Sequence, residues 1–185
     1  MKKILLSLLC AIVPLCAVKK PHQQIDKATL RSIKKEVVHA LQEIEQNLKD
    51  LTSQSGDLSV IFLKMTKECL SHNMSQKIIR GTSTAAFDAI IERKSFASVN
   101  FVDLPVNKKN IDTFQTIWQD VLKKYEEEKR QIYHHMVKKC NNSDIPLKQC
   151  CMLHITFSDF PKIYVTMSFT KIVCTNILQK IEAIL

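Results

Sequence analysis

Glycine is scarce in this chain of 185 residues, occurring only at Gly56 and Gly81. Tight hairpin turns and sandwich loops use glycine where the backbone must take positive φ. Two glycines therefore argue against an all-β protein and against a glycine-rich phosphate loop. No G-x-G-x-x-G, Walker-type loop or nucleophile elbow is present. Metal-ligand spacings are missing as well: there is no C-x-x-C and no H-x-x-x-H. No internal repeat or low-complexity stretch stands out.

What the chain does have begins at its start. Met1-Lys2-Lys3 is a short basic opening, and residues 4–18 then run without a charge until Lys19-Lys20-Pro21. That basic, apolar, polar order is the plan of a secretory signal peptide. Its apolar run inserts into a membrane while the lysines stay on the cytoplasmic side. A membrane-spanning helix needs about 20 apolar residues. This run is shorter and contains Pro14, so cleavage is expected rather than an uncleaved anchor. Cutting after Ala17 leaves Leu15 where a small residue is preferred, and Leu15 before Cys16 also disfavours lipoprotein processing. The expected product is exported, periplasmic or secreted, with no transmembrane anchor after cleavage. Residues 1–18 are the leader and 19–185 a single mostly helical domain, long enough to bury a substantial core.

The formal net charge is +9, and losing Lys2 and Lys3 with the leader lowers it to +7. A moderately basic balance favours solubility first and contact with anionic surfaces second. An exported protein rarely meets nucleic acid, so none is expected as a partner. An unknown protein or an anionic envelope surface is the better expectation.

Of seven cysteines, Cys10 and Cys16 lie in the leader, leaving Cys69, Cys140, Cys150, Cys151 and Cys174. In an oxidising compartment the natural arithmetic is two disulfides and one free thiol. Cys140 with Cys150 or Cys151 would close a short loop, stabilising by roughly 2–3 kcal/mol on the chain-entropy model. Cys69 and Cys174 would meet only through tertiary packing. Buried, unbonded cysteines are the plainer alternative.

Apolar spacing sets out the helices. Asp26 is placed to cap a helix reaching about Leu51, with Leu30, Ile33, Val37, Leu41, Ile44, Leu48 and Leu51 on one face. Its first half carries Lys27, Arg31, Lys34 and Lys35, and its second half Glu43, Glu45 and Asp50, which opposes the helix dipole at both ends. Such a helix must lean on packing, or its charges must serve another contact. Thr52 to Gly56 reads as a turn. Asp57 then caps a stretch to about Arg80, broken or kinked at Ser71-His72-Asn73, with Gly81 as its C-terminal stop. A third helix starts at residues 82–84 with Phe87, Ile90 and Ile91 inward. Residues 99–110 read as a connection, because Pro105 restricts Leu104 and Asn100, Asp103 and Asn107 favour turns. The clearest helix starts at Asn110 or Asp112 and runs to about Lys139, on Ile111, Phe114, Trp118, Val121, Tyr125 and Ile132. Pairs such as Lys123–Glu127 and Lys124–Glu128 read as its solvent side. From Pro161 to residue 184 helical spacing competes with alternation, and helix is expected. The fold class is therefore mainly α, a helical bundle of four or five amphipathic helices, with a short β-hairpin near 150–169 as the alternative for that stretch.

Chemistry is harder to place. His134, His135, Cys140, Cys150 and Cys151, with His154 beyond, are zinc or copper ligand types clustered in sequence. Neighbouring histidines on a helix point about 100° apart, however, which ill suits one ion. No local signature marks a cysteine nucleophile. Glu126, Glu127 and Glu128 read as a solvated charge run, since a general acid–base pair needs burial to separate two pKa values. Asn73-Met74-Ser75 and Asn141-Asn142-Ser143 match the glycosylation acceptor pattern. No catalytic residue and no cofactor is expected. The sequence thus points to an exported, non-catalytic binding or structural module. The alternative is an exported metal-handling protein using residues 134–151.

Overall fold

The computed structural model describes residues 25–55, 58–101, 104–141 and 160–185. The leader, Cys150, Cys151 and His154 lie outside them. The described chain is mainly α, with six helices and, among these residues, no strand. They are α1 (Lys27–Ser55), α2 (Leu58–Ser71), α3 (Asn73–Arg93), α4 (Pro105–Lys124), α5 (Glu126–Asn141) and α6 (Phe160–Glu182). Residues 160–169 of the alternative hairpin belong to α6, and 150–159 lie outside the described residues.

Asp26 starts α1 as the sequence implies. Its carboxylate accepts from the backbone N–H of Thr29 at 2.8 Å and from the Thr29 hydroxyl at 2.6 Å. These two hydrogen bonds hold the Asp26 carboxyl below its ordinary pKa. Helix α1 continues past the expected turn to Ser55. The hydroxyls of Thr52 and Ser55 donate back to the carbonyls of Leu48 and Leu51, at 2.7 and 2.6 Å, so both are satisfied without leaving the helix.

The most apolar element, α2, buries Leu58, Ile61, Phe62, Met65 and Cys69 completely and packs against every other helix. It breaks where expected. His72 leaves helical geometry, and its Nδ1 accepts from Met74 N at 3.2 Å, capping α3.

Helix α3 does not stop at Gly81; it runs on to Arg93. The residues after Gly81 are small and packed. Thr82, Ser83 and Ala86 are buried, Ser83 Oγ donates to Ile79 O at 2.7 Å, and Asn176 Nδ2 of α6 donates to Ser83 Oγ at 3.1 Å. Tertiary packing therefore carries the helix through its glycine. The left-handed residue that ends it is Lys94, at φ 54°. Glu36 of α1 secures the turn beyond, its Oε2 accepting from Phe96 N at 2.9 Å and Ala97 N at 3.1 Å.

Pro105 opens α4 rather than interrupting a connection, with Leu104 extended before it. The expected single helix from Asn110 or Asp112 to Lys139 is thus longer at its start and divided at Tyr125, where φ is −99° and ψ 4°. The division is slight: Tyr125 N still donates to Val121 O at 3.3 Å, and Lys129 N to Tyr125 O at 2.9 Å.

Helix α6 lies antiparallel to α1 along its length, as four contacts show. Thr52 Oγ1 meets Tyr164 Oη at 3.0 Å and Lys171 pairs with Glu45 at 2.8 Å. Lys34 pairs with Glu182 at 2.8 Å, and Lys27 Nζ donates to Leu185 O at 3.0 Å. This resolves the charge pattern of α1. Its basic half, ill-matched to its own dipole, sits beside the negative C-terminal end of α6. Its acidic half sits beside the start of α6.

Candidate functional site

The core is aliphatic where α6 meets α1, α2 and α3: Leu30, Ile33, Val37, Ile61, Ile79, Ile177 and Ile181 are all at most 1% exposed. On the other side of α6 the packing changes. Both α4 and α6 lie on α2 and α3, yet α4 and α6 are not a closely packed pair. Aromatic side chains reach across the gap instead. The Phe114 and Phe169 rings meet edge to face, with centroids 5.3 Å apart. Beside them is a cleft of about 240 Å³ whose walls include Phe101, Phe114, Trp118, Val165 and Phe169, with Ile78 of α3 at its base. The periodicity of α4 explains why these residues gather. Phe114 and Trp118 are four residues apart, on one helical face. Sequence reasoning assigned that face to the core, and it is half-buried. Nothing in the spacing of one helix says that a second helix stands off from it.

The α6 wall has a particular polarity. Thr166 and Thr170 line the cleft, and their hydroxyls donate to the carbonyls of Lys162 and Thr166, at 2.8 and 2.9 Å. Those O–H groups are spent inside the helix. Of the described residues lining the cleft, Lys162 is the one that carries a charge.

A larger depression of about 610 Å³ runs between α1 and α6, lined by Glu45, Lys49, Thr52, Tyr164 and Lys171. Its polar groups are largely paired with one another. Lys171 holds the Glu45 carboxyl below its ordinary pKa by hydrogen bond and charge, and Thr52 meets Tyr164. It is a seam between helices, and it offers a ligand less apolar surface than the aromatic cleft does.

A third constellation ties α2 to the α4–α5 joint. Lys124 Nζ donates to both carboxylate oxygens of Glu68, at 2.7 and 2.8 Å, and Tyr125 Oη donates to one of them at 2.8 Å. Lys124 chiefly, then Tyr125, holds the Glu68 carboxyl below its ordinary value, and Glu68 in turn raises both partners. Lys64 reaches Glu128 at 2.8 Å, which raises the lysine. The charges on this face of α4 and α5 are largely solvated as expected, but their ion pairs are not the expected i,i+4 ones. Lys124 and Glu128 cross to α2, while Glu126 and Glu127 pair with Lys129 and Arg130 three residues on. A protonated Tyr125 that donates to an ionised, Lys124-paired Glu68 makes a clamp, with no proton poised to move near neutral pH.

The metal-ligand types are not brought together within the described residues. His134 and His135 are exposed on α5, and the His134 ring stands edge to face with Tyr133 at 6.1 Å. No group of three His, Cys, Asp or Glu that could hold a metal ion occurs among the described residues. Cys140 lies in the last turn of α5, and Cys150 and Cys151 are outside the described residues. Cys69 on α2 and Cys174 on α6 are buried free thiols. Burial pushes each up to about 11, so both stay protonated and neither is a nucleophile at neutral pH. Of the two acceptor sequences, Asn73 opens α3 at the surface while Ser75 is buried; Asn141 ends α5.

No described helix is long and apolar enough to cross a membrane. Compared with protein-family models, with curated proteins and with solved structures, the chain matches none.

Proposed function

We propose that this chain is an exported, non-catalytic helical binding protein, and that its binding site is the aromatic cleft between α4 and α6. The helices form a bundle in this reading, with α2 as its central member. The observation that carries it is the gap itself. Where α6 meets α2 and α3, side chains close the space, and the depression it leaves beside α1 is crossed by the paired Glu45–Lys171 and Thr52–Tyr164; beside α4 the side chains leave about 240 Å³ lined largely by rings. A cavity of about 150 Å³ lined by apolar side chains is enough to bind benzene, so this cleft takes a somewhat larger apolar body. The leader supports export, and the +7 balance left after its removal fits anionic surroundings.

The chain has one tryptophan, Trp118, and it lines the cleft. Titration of the purified mature protein with toluene, a neutral apolar probe, is expected to shift Trp118 emission saturably. Thr166→Trp, which fills the cleft from the α6 rim, is expected to abolish toluene protection against thermal unfolding while leaving the helical circular dichroism unchanged. An unsaturable response, or equal protection of both proteins, refutes the site. Expression with the native leader in a secreting host, followed by mass measurement of the released product, tests export. A product retaining Met1 inside the cell refutes it.

A further inference from the structure

We infer that the cleft selects a small anionic amphiphile, a flat or short-chain apolar body carrying a single carboxylate, with the carboxylate held at Lys162. This rests on the reading of the cleft as the binding site and adds the chemistry of the ligand. Three observations point the same way.

Volume comes first. At about 30 Å³ per water-sized atom, 240 Å³ holds about eight. That suits the apolar part of a monocyclic or medium-chain molecule. Second is the character of the walls. Phe114 and Phe169 meet edge to face, Trp118 lines the cleft beside them, and Val165 and Ile78 are buried aliphatic side chains of its lining. The threonines that intervene turn their O–H donors to their own helix, so the α6 wall offers a ligand methyl groups in place of hydrogen-bond donors. The amides of Asn110 and Gln115 line the cleft too, but a uniformly polar ligand, such as a sugar, would lose water against the rings and the α6 wall without replacement. Charge comes last. Lys162 is exposed in the first turn of α6, at the cleft's rim, and no acidic residue is among the described residues lining it. An ammonium at the mouth of an apolar slot pairs with a carboxylate while both stay partly hydrated, which avoids the cost of burying either charge.

The magnitude of the preference follows from that exposure. Exposed ion pairs contribute about 0.2–1 kcal/mol, and 1.4 kcal/mol is tenfold. Octanoate is therefore expected to bind about 1.4- to fivefold more tightly than octanol, and octylamine more weakly than both. Calorimetry and Trp118 emission on the purified mature chain measure all three, below their micelle concentrations. Lys162→Gln, a surface change that leaves the core intact, is expected to bring octanoate to the affinity of octanol, and raising salt is expected to do part of the same. Thr166→Trp is expected to weaken octanoate and octanol alike by more than tenfold. If octanol matches or exceeds octanoate on the unaltered chain, or Lys162→Gln leaves their ratio unchanged, the anion assignment falls and the cleft reading stands. If neither compound binds while anionic vesicles of phosphatidylglycerol do, the ligand is a membrane surface and both fall. If octanoate binds Thr166→Trp as it binds the unaltered chain, the site is elsewhere.

Discussion

Helix α6 has two sides, and they are built on different principles. Toward α1, α2 and α3 it buries Val173, Ile177 and Ile181 in an aliphatic core, and the depression left beside α1 is crossed by paired polar groups. Toward α4 it presents Val165, Thr166 and Phe169 across a space that rings bridge without filling. The polar contacts divide in the same way. Along α1 they run in register with the α6 axis and match its dipole. At the α4–α5 joint they are a single clamp on Glu68 with Lys64–Glu128 beside it. A helix tied by aliphatic burial has one good position. Helix α4 also buries Ile117 and Val121 in that core, and it is on the side facing α6 that its rings leave a cleft.

The sharpest way to break this contrast is to truncate one phenylalanine on each side. Phe62→Ala, at 0% exposed in the central helix, is expected to cost about 3–5 kcal/mol in urea unfolding. Phe169→Ala is half-buried at the cleft, and about 1 kcal/mol is expected from partial burial. Equal losses would mean that the cleft wall is ordinary core. Next comes the charged tie on the aliphatic side. Glu36→Ala removes the acceptor for Phe96 N and Ala97 N, and a loss of about 1–2 kcal/mol is expected. If the mutant melts with the parent, that turn is held by its own rings, Phe96 and Phe101.

Smaller effects sharpen the picture. Lys94→Gly relieves a left-handed residue at φ 54°, and a gain of up to about 1 kcal/mol is expected in the same assay, offset in part by unfolded-state entropy. The smallest change is expected at the clamp, because exposed ion pairs contribute little. Glu68 has a folded pKa below its ordinary 4.5, so its contribution is present above that value and is lost as pH falls through the folded value. Stability measured from pH 7 to pH 3 is expected to decline less steeply in Glu68→Gln. An unchanged slope would assign the acid sensitivity to other carboxylates.

Much of this was legible in the residues. The stripe from Leu30 to Leu51, the Asp26 cap, the break at His72 and the helix after Pro161 all follow from local spacing and capping chemistry. Gly81 and Pro105 misled for opposite reasons. Glycine marks a helix end only where no neighbour holds the backbone, and α6 holds it here. Proline marks a break only in a helix interior, and here it opens the first turn. The cleft gave a weaker signal: Phe114 and Trp118 on one face, with no mark that their partner helix stands away. Glu36 and Glu68 gave none, since an acidic residue on an amphipathic helix looks the same whether it meets water or the next element.

By itself the sequence determined that the described chain is helical and where most helices begin, because those features depend on neighbours three or four positions away. Tertiary structure alone decided that α1 lies antiparallel to α6 so that its reversed charges find the right dipole, that Lys124 and Glu128 cross to α2, and that α4 and α6 leave a cleft between them. Each of these is a relation between segments separated by tens of residues, and no local periodicity encodes the distance at which two helices come to rest.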